Sequence, residues 1–460
     1  SSAAGRRVLH RSAGNIFMKE VDFQMKKYLA LLLVLVMVLS LAACASKPAE
    51  TTDEPEQTTT EPAPAEETKD EEPAPAEETK EEEPTEEPAD NTEYAVAMIT
   101  DYGDITDQSF NQTTYEACKA FCEDNGVEFS YFKPAGDNTA DRVAMIEKAV
   151  DEGYNVIVMP GYAFGGAIVE AAPEFPDVKF IALDVAKGDL LEAGVAKAGE
   201  SYDYNPDNWD LEKYVDMSNV YCAIYQEELC GYMAGYAAVK LGYKSLGFLG
   251  GMAVPAVIRY GYGFVQGVDA AAADLGLSDV TVKYVYGGQF FGDADITAVM
   301  DTWYAGGTEV VFACGGGIYT SAVDAAKKAN GKVIGVDVDQ AGVIANYAGV
   351  DGLTVTSAMK GLYPATYDTL NDVIINGNWA NYVGKIATLG LVSADDPEAN
   401  YVQIPMGEGT QWSDSFTEDD YKAMVADMYN GVITVSNDIS KAASDFATVI
   451  TVDDQGAIKG

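Results

Sequence analysis

The feature that most constrains the fold is a regular alternation, from Tyr94 onward, of short apolar runs rich in β-branched residues with longer amphipathic stretches. The run "YAVAMIT" is typical of a buried strand, and a stretch of helical period follows it over residues 111–124. Further strand-like runs, "VEFSYFK", "NVIVMPG" and "VKFIALD", are separated by helix-like stretches over 139–152 and 165–172. This βαβ succession predicts a mostly parallel sheet covered by helices on both faces.

The alternation pauses over residues 187–217 and then resumes with "NVYCAIY", "SLGFLGG", "VTVKYVYGG", "EVVFACGGG" and "KVIGVD". Two similar lobes in tandem are the simplest arrangement, the first over 93–225 and the second over 226–356. Residues 357–460 are too few and too mixed in pattern for a third domain, so we expect them to complete the first lobe. The predicted fold class is α/β, with two similar lobes that each carry a mostly parallel sheet.

The N-terminal part has the composition of targeting sequence rather than of a folded domain. The segment 25–43 has two lysines after Met25 and continues as an apolar run up to Cys44. The sequence "LAAC" over residues 41–44 predicts a lipoprotein signal peptide with Cys44 as the lipidated residue. The run is near the lower limit of about 17 residues for a membrane span, so an uncleaved anchor is the alternative. Residues 1–24 are then an upstream extension. The Glu-, Pro- and Thr-rich stretch 44–92 is predicted to be a disordered tether.

Charge and residue usage exclude several classes of function. The net charge of -44 argues against nucleic acid as a partner, because phosphate binding needs clustered Lys and Arg. The single histidine is His10, which excludes Ser-His or Cys-His nucleophile pairs and His-ligated metals from the part after Cys44. We therefore expect no catalytic residue, no cofactor and no metal. The five cysteines after Cys44 show no even disulfide framework and are expected to be buried thiols.

Polar, glycine and aromatic residues follow the predicted strands, where open α/β sheets bind ligands. Asp184 and Asp337 each end an apolar strand, where a carboxylate either caps the next turn or accepts hydrogen bonds from the vicinal hydroxyls of a sugar. A lone Phe is ordinarily a core residue, but two facing rings can sandwich a flat heterocycle. The candidate ligand-binding residues are Asp101, Ser109, Phe110, Asn111, Gly161, Asp184, Phe291, Gly315, Gly317, Asp337 and Lys360.

Several motifs together resemble those of the basic membrane protein family of bacterial lipoproteins, which includes purine nucleoside receptors of ABC importers. They are "AVAMITDYGDITDQSFNQ", "GFLGGMAVPAVIRYGYGFVQG", "FFGD", "CGGGIYTSAVDAAKKA", "VIGVDVDQ" and "TSAMK". The resemblance spans roughly residues 94–376, and the lipobox at Cys44 agrees with it. It implies a type I periplasmic-binding-protein fold, in which two Rossmann-like lobes, joined by three crossovers and with a ligand cleft between them, close on a ligand.

The resemblance also implies a role for individual residues. Two phenylalanines would sandwich the base: Phe110, and Phe291 from "FFGD", where Phe290 is a second candidate. Asp101 and Asn111 would contact the base. Three further residues would hold the ribose, namely Asp184, Asp337 and Lys360.

The function expected from these observations is that of a monomeric, lipid-anchored protein on the extracytoplasmic face of the cell membrane. It would bind a nucleoside, a purine in the first instance, and hand it to an ABC permease without making or breaking a bond. A receptor for a sugar or signal molecule on the same fold is the alternative. A nucleoside-hydrolysing enzyme is disfavoured, because the acidic residues are spread over two lobes rather than gathered in one constellation.

Overall fold

The computed structural model of the chain describes residues 93–459. Four predictions lie outside the described residues: the upstream extension 1–24, the signal peptide 25–43, lipidation of Cys44 and the tether up to residue 92.

The first of two sheets has six strands, all parallel, in the order β11-β5-β4-β3-β1-β2. Its strands are β1 Ala95–Ile99, β2 Glu128–Phe132, β3 Val156–Pro160, β4 Lys179–Leu183, β5 Val220–Tyr225 and β11 Ile386–Leu389. Every residue of β3 is buried, which explains its unbroken apolar sequence, because a central parallel strand is covered on both faces. The covering helices are α1 Phe110–Asn125, α2 Thr139–Asp151, α3 Gly165–Ala171, α4 Lys187–Lys197, α5 Leu211–Tyr214 and α11 Leu362–Leu370.

The second sheet has seven strands in the order β12-β10-β9-β8-β6-β7-β13, of which only the β10–β12 pair is antiparallel. Its strands are β6 Ser245–Gly250, β7 Thr281–Tyr286, β8 Val310–Cys314, β9 Lys332–Asp337, β10 Thr354–Lys360, β12 Val402–Gln403 and β13 Thr451–Ala457. Its helices are α6 Glu227–Lys240, α7 Pro255–Asp274, α8 Ala294–Ala305, α9 Tyr319–Ala329, α10 Ala341–Ala348 and α12 Glu418–Tyr429.

The predicted assignment of residues 357–460 to the first lobe needs correction. Strand β10 lies beside β9 in the second sheet and runs parallel to it, because strands that follow each other through a short helix, here α10, usually become neighbours in one sheet. Only residues 362–389 return to the first lobe, where Leu370 and Val373 pack against Phe121 of α1. From β12 onward the strands belong again to the second sheet. The chain therefore crosses between the sheets three times, after β5, after β10 and after β11.

The five cysteines of the described region are free and buried, as the sequence suggested. Helix α4 occupies part of the segment 187–217 that showed no clear period. Within residues 93–459, no helix has both the length and the apolar character needed to cross a membrane.

Candidate ligand-binding site

A cavity of about 390 Å³ lies where the carboxyl ends of the parallel strands of both sheets meet. Asp101 follows β1 and Asp184 follows β4 of the first sheet, whereas Asp337 and Lys360 end β9 and β10 of the second. Carboxyl ends of strands are where open α/β sheets bind ligands, and the volume falls in the range of about 300–1,000 Å³ that is usual for small molecules. Acidic residues that lie in two lobes along the sequence, and that were expected to remain spread apart, are thus brought to one concave wall.

Asp184 and Asp337 share an uncommon backbone conformation. Their φ angles are 59° and 65°, in the left-handed region that few side chains other than Asn and Asp adopt. Both residues sit immediately at the end of an apolar strand, one in each lobe. Non-glycine residues held in this region cluster at ligand clamps and active sites, so the matched pair makes this edge a candidate ligand-binding site.

Lys360 is the electrostatic centre of the cavity. Its buried ammonium forms an ion pair with Asp184 and lies 3.6 Å from Glu227 Oε1 and 3.7 Å from Asp337 Oδ1. Burial alone lowers the pKa of Lys360, but the charges of the three carboxylates outweigh burial and hold this pKa above its ordinary value. The lysine is therefore charged at neutral pH and joins the two lobes through Asp184.

Ser109 does not line the cavity, although the sequence placed it among the ligand contacts. It is fully buried, and its Oγ donates a 2.5 Å hydrogen bond to Asp337 Oδ2 across the lobes. Tyr260 donates from its hydroxyl to Asp337 Oδ1 at 3.2 Å. In contrast, Asp184 Oδ1 is buried and has no hydrogen-bond partner within residues 93–459. Ser109 therefore holds a carboxylate in place, and Asp184 offers a free acceptor.

The loop between β1 and α1 is organised by an aspartate that sequence reasoning did not single out. Asp107 accepts hydrogen bonds from the backbone N–H groups of Ser109, Asn111 and Gln112, so it caps α1 where Ser109 provides no side-chain cap. It also accepts a 3.1 Å bond from Asn111 Nδ2. Asn111 Oδ1 is left buried without a partner in the described part of the chain. This oxygen is a second free acceptor.

Asp101 closes the other end of that loop. Its Oδ1 accepts from the N–H groups of Tyr102 and Gly103 at 2.6 and 2.7 Å. Burial raises the pKa of Asp101, and these backbone bonds oppose that shift. Gly161, with φ 127°, packs against the same carboxylate, and a Cβ there would lie 3.0 Å from Asp101 Oδ2. The glycine is thus required by both its conformation and its close approach.

Aromatic rings from both lobes line the cavity. Phe110 is half-buried, and the Lys360 ammonium lies 4.7 Å from its ring centroid. Phe290 and Phe291 both reach the cavity, but Phe291 is 57% exposed. Phe290 packs against Gly315, where a Cβ would lie 2.7 Å from the ring, and its centroid is 6.3 Å from that of Tyr102. Phe290 is therefore the more enclosed of the two candidates for the second aromatic wall.

Three further ionisable residues join the site. Glu227, fully buried at the first crossover, accepts a 2.7 Å bond from Arg259 Nε. Burial raises the pKa of Glu227, and the charge of Arg259 opposes that shift. Asp189 lines the cavity, and burial raises its pKa to about 7. Glu227 follows the end of β5, so the tendency of ligands to bind beyond strand ends could have singled it out. Asp189 lies in the segment 187–217, whose sequence shows no clear helical or strand periodicity.

Ten of the eleven predicted residues line the cavity, and Ser109 lies behind it. Among residues 93–459, no group of three or more His, Cys, Asp or Glu side chains is arranged to hold a metal ion. The lining of the cavity consists of hydrogen-bonding groups together with aromatic and other apolar side chains.

Comparison with known proteins identifies the family. The family model Bmp, described as ABC transporter substrate-binding protein PnrA-like, matches residues 94–404, which is more than half of the chain. The chain belongs to this family. The resemblance inferred from the motifs is confirmed, and the family is one of substrate-binding proteins of ABC transporters rather than of enzymes.

Individual relatives and solved structures agree. The ABC transporter nucleoside-binding protein BmpA of Lactococcus lactis is 27% identical over 274 residues, which cover 57% of this chain and 68% of the relative. Basic membrane protein B of Borreliella burgdorferi is 24% identical over 303 residues, covering 64% and 78%. The ABC transporter solute-binding protein structures from Aeropyrum pernix and Conexibacter woesei each align with a TM-score of 0.53 at 19% identity. They cover 77% and 75% of this chain and 90% and 99% of their own, which confirms the type I periplasmic-binding fold.

Proposed function

We propose that this ABC transporter substrate-binding protein binds a nucleoside, specifically a purine nucleoside, in the cavity between its sheets and delivers it to the permease. The observation that carries the proposal is the juxtaposition, on one cavity wall, of the Phe110 ring with the buried cluster of Lys360, Asp184 and Asp337. A flat apolar surface beside paired carboxylates and an ammonium suits a molecule with an aromatic half and a polyhydroxyl half.

The carboxylate cluster supplies the groups that a ribose needs. Each hydroxyl of a vicinal diol can donate to a carboxylate oxygen and accept from an ammonium. Asp184 Oδ1 is an unpartnered acceptor within the described region, and Lys360 carries three donor protons among the acidic groups. Hydrogen bonds to charged groups are about twice as strong as neutral ones, so this half of the site would provide much of the affinity.

The charge of the cavity favours an uncharged ligand over a nucleotide. Six aspartates line it, against three basic residues. Of those bases, Arg259 is paired with Glu227, Lys133 with Asp104, and Lys360 with three carboxylates. A phosphate would meet net negative charge and no free guanidinium, and bidentate arginine is the usual partner of phosphate.

We further propose that Cys44 carries a lipid anchor and that residues 45–92 tether the domain outside the membrane. The "LAAC" sequence supports this, as does a relative from Pyrococcus abyssi named a lipoprotein, 25% identical over 321 residues. Metabolic labelling with an alkynyl fatty acid tests the anchor, since label should enter the wild-type chain and be lost in Cys44→Ala.

Calorimetric titration of the chain from Cys44 onward with inosine, guanosine, adenosine, cytidine, uridine and ribose tests the ligand class. Stacking of a base on an aromatic ring contributes about 1–3 kcal/mol, so Phe110→Ala should weaken purine nucleoside binding about fivefold or more. The matched control Phe129→Ala, which alters a ring of β2 outside the cavity lining, should not. Ribose binding as tightly as the nucleosides would instead identify a sugar receptor, and binding of none of these compounds would refute the proposal.

A further inference from the structure

The chain continues beyond the family-matched region, and this continuation packs on the second lobe. Residues 405–459 lie outside the match to 94–404. Phe416 and Tyr421 of this segment are buried in the core around α6 and α7. Strand β13 then pairs in parallel with β7, with Thr451 opposite Thr281, and so covers an edge of the sheet. The segment is therefore an integral layer of the second lobe.

The end of this segment reaches the loop 287–293, which carries Phe290 and Phe291. Ile458 N–H donates to Tyr286 O at 2.8 Å. The backbone of Lys459 lies against Gly288, where an added Cβ would be 2.6 Å from Lys459 O. The ammonium of Lys459 donates to Gln289 Oε1 at 3.2 Å and forms an ion pair with Asp293. The Lys459 side chain thus bridges Gln289 at the start of the loop and Asp293 at its end, and these two contacts are called the brace below.

The Lys459 contacts add to backbone bonds that already hold this loop, in which Gly288 N–H donates to Gly251 O at 2.8 Å and Gly317 N–H donates to Phe290 O at 2.9 Å. Residues 287, 288 and 292 are glycines, and Gly288 has φ 83°. Gln289 Nε2 donates to both Phe291 O and Asp293 Oδ2 at 2.9 Å, so the group that Lys459 holds also fixes the backbone of Phe291. Asp293 in turn caps α8 by accepting from Ile296 N–H at 3.0 Å. The brace therefore connects the aromatic loop to rigid secondary structure.

We propose that Lys459 is a positioning residue that sets the second aromatic wall of the cavity, and that the segment after residue 404 thereby tunes affinity for the base of the ligand. This inference rests on the proposed nucleoside-binding function. Lys459 is not among the residues that line the cavity, whereas Phe290 and Phe291 are, so its effect on binding would pass through the positions of these two rings.

Hydrogen–deuterium exchange of the ligand-free chain tests the brace itself. In Lys459→Met, peptides covering 287–293 should exchange about fivefold faster, the scale of one partly exposed ion pair. Lys459→Arg should restore protection, and peptides covering 156–160 in the first lobe should not change. In the control Lys441→Met, the lost ion pair belongs to the same segment and joins the Lys441 ammonium to Asp438 Oδ2 at 3.6 Å. This variant should leave the exchange rate of the loop 287–293 unchanged.

Titration with a purine nucleoside tests the consequence. Lys459→Met should weaken binding about fivefold, Lys441→Met should not, and the loss should disappear in at least one of the Phe290→Ala and Phe291→Ala backgrounds. Affinity within twofold of the wild type, or an equal loss in every background, would overturn the inference while leaving the proposed function intact. Absence of nucleoside binding in the wild type would refute the proposed function and the link to base recognition, and exchange alone would then decide whether the brace exists.

Discussion

Replacing Lys360 with methionine should destabilise the ligand-free protein strongly and in a pH-dependent manner. The substitution keeps an apolar side chain of similar length but removes the charge that neutralises Asp184, Glu227 and Asp337, all of which lie within 3.7 Å of it and have little exposure. Removing one partner from a buried ionic cluster costs about 3–5 kcal/mol, because the remaining charges are buried and unpaired. We expect this loss in the free energy of unfolding at pH 8.

The pH dependence follows from the carboxylates. Burial already raises the pKa of Glu227, and loss of the ammonium will raise it further. Because the folded variant then binds protons more tightly than the unfolded chain, its stability should rise as the pH falls from 8 towards 5.5. For each unit by which the folded-state pKa is raised within this pH range, the variant should regain about 1.4 kcal/mol of unfolding free energy at low pH.

Urea unfolding monitored by tryptophan fluorescence at pH 5.5, 6.5 and 8 measures both effects. The control Lys328→Met removes an exposed lysine whose ammonium lies 2.8 Å from Asp301, and it should change stability by less than about 1 kcal/mol. A loss below 1 kcal/mol for Lys360→Met, or a loss that is the same at every pH, would refute the reasoning.

Three further predictions concern the cavity wall and the core. Gly315→Ala should lower nucleoside affinity by displacing the adjacent phenylalanine ring, whereas Gly349→Ala, where φ is also positive but no atom lies within 4 Å, should lower stability by only about 1 kcal/mol. Burial raises the pKa of Asp189 in the folded protein to about 7 from an ordinary 3.8, so the wild-type free energy of unfolding should fall as the pH rises from about 4 to 7. Asp189→Asn should make this fall shallower, and pH profiles of stability that run parallel in the two proteins would contradict the prediction. Burial raises the pKa of both Cys118 and Cys122, the latter to about 12, so neither should react with a thiol reagent at pH 8 until the protein is unfolded.

The sequence predicted the strands that build the cavity, because their apolar runs are strong signals and the rule for open α/β sheets fixes which ends bind ligands. Asp184, Asp337 and Lys360 were found in this way. The role of Ser109 could not be predicted, because its partner Asp337 is 228 positions away and only the tertiary structure brings them together.

The late strands also escaped prediction, for a physical reason. Strand β13 reads "TVDDQGA", a polar and largely exposed sequence without apolar alternation, and it is a strand only because β7 offers it a free edge. Strand β12 has two residues, too few for any periodicity. Which of Phe290 and Phe291 is the more enclosed depends on packing of the Phe290 ring against Gly251 and Gly315. Two adjacent phenylalanines look the same in the sequence, so this difference could not be predicted.

The most direct test of the central claim is the affinity for inosine of Asp184→Asn and Asp337→Asn, compared with Asp339→Asn. Asparagine tolerates the left-handed backbone of the first two positions, so the substitutions remove charge without forcing a new conformation. Asp339 is an exposed neighbour that caps Ala341 N–H at 3.0 Å. We predict that both cavity variants bind inosine at least about tenfold more weakly and that Asp339→Asn binds like the wild type. Unchanged affinity in both cavity variants would contradict the account.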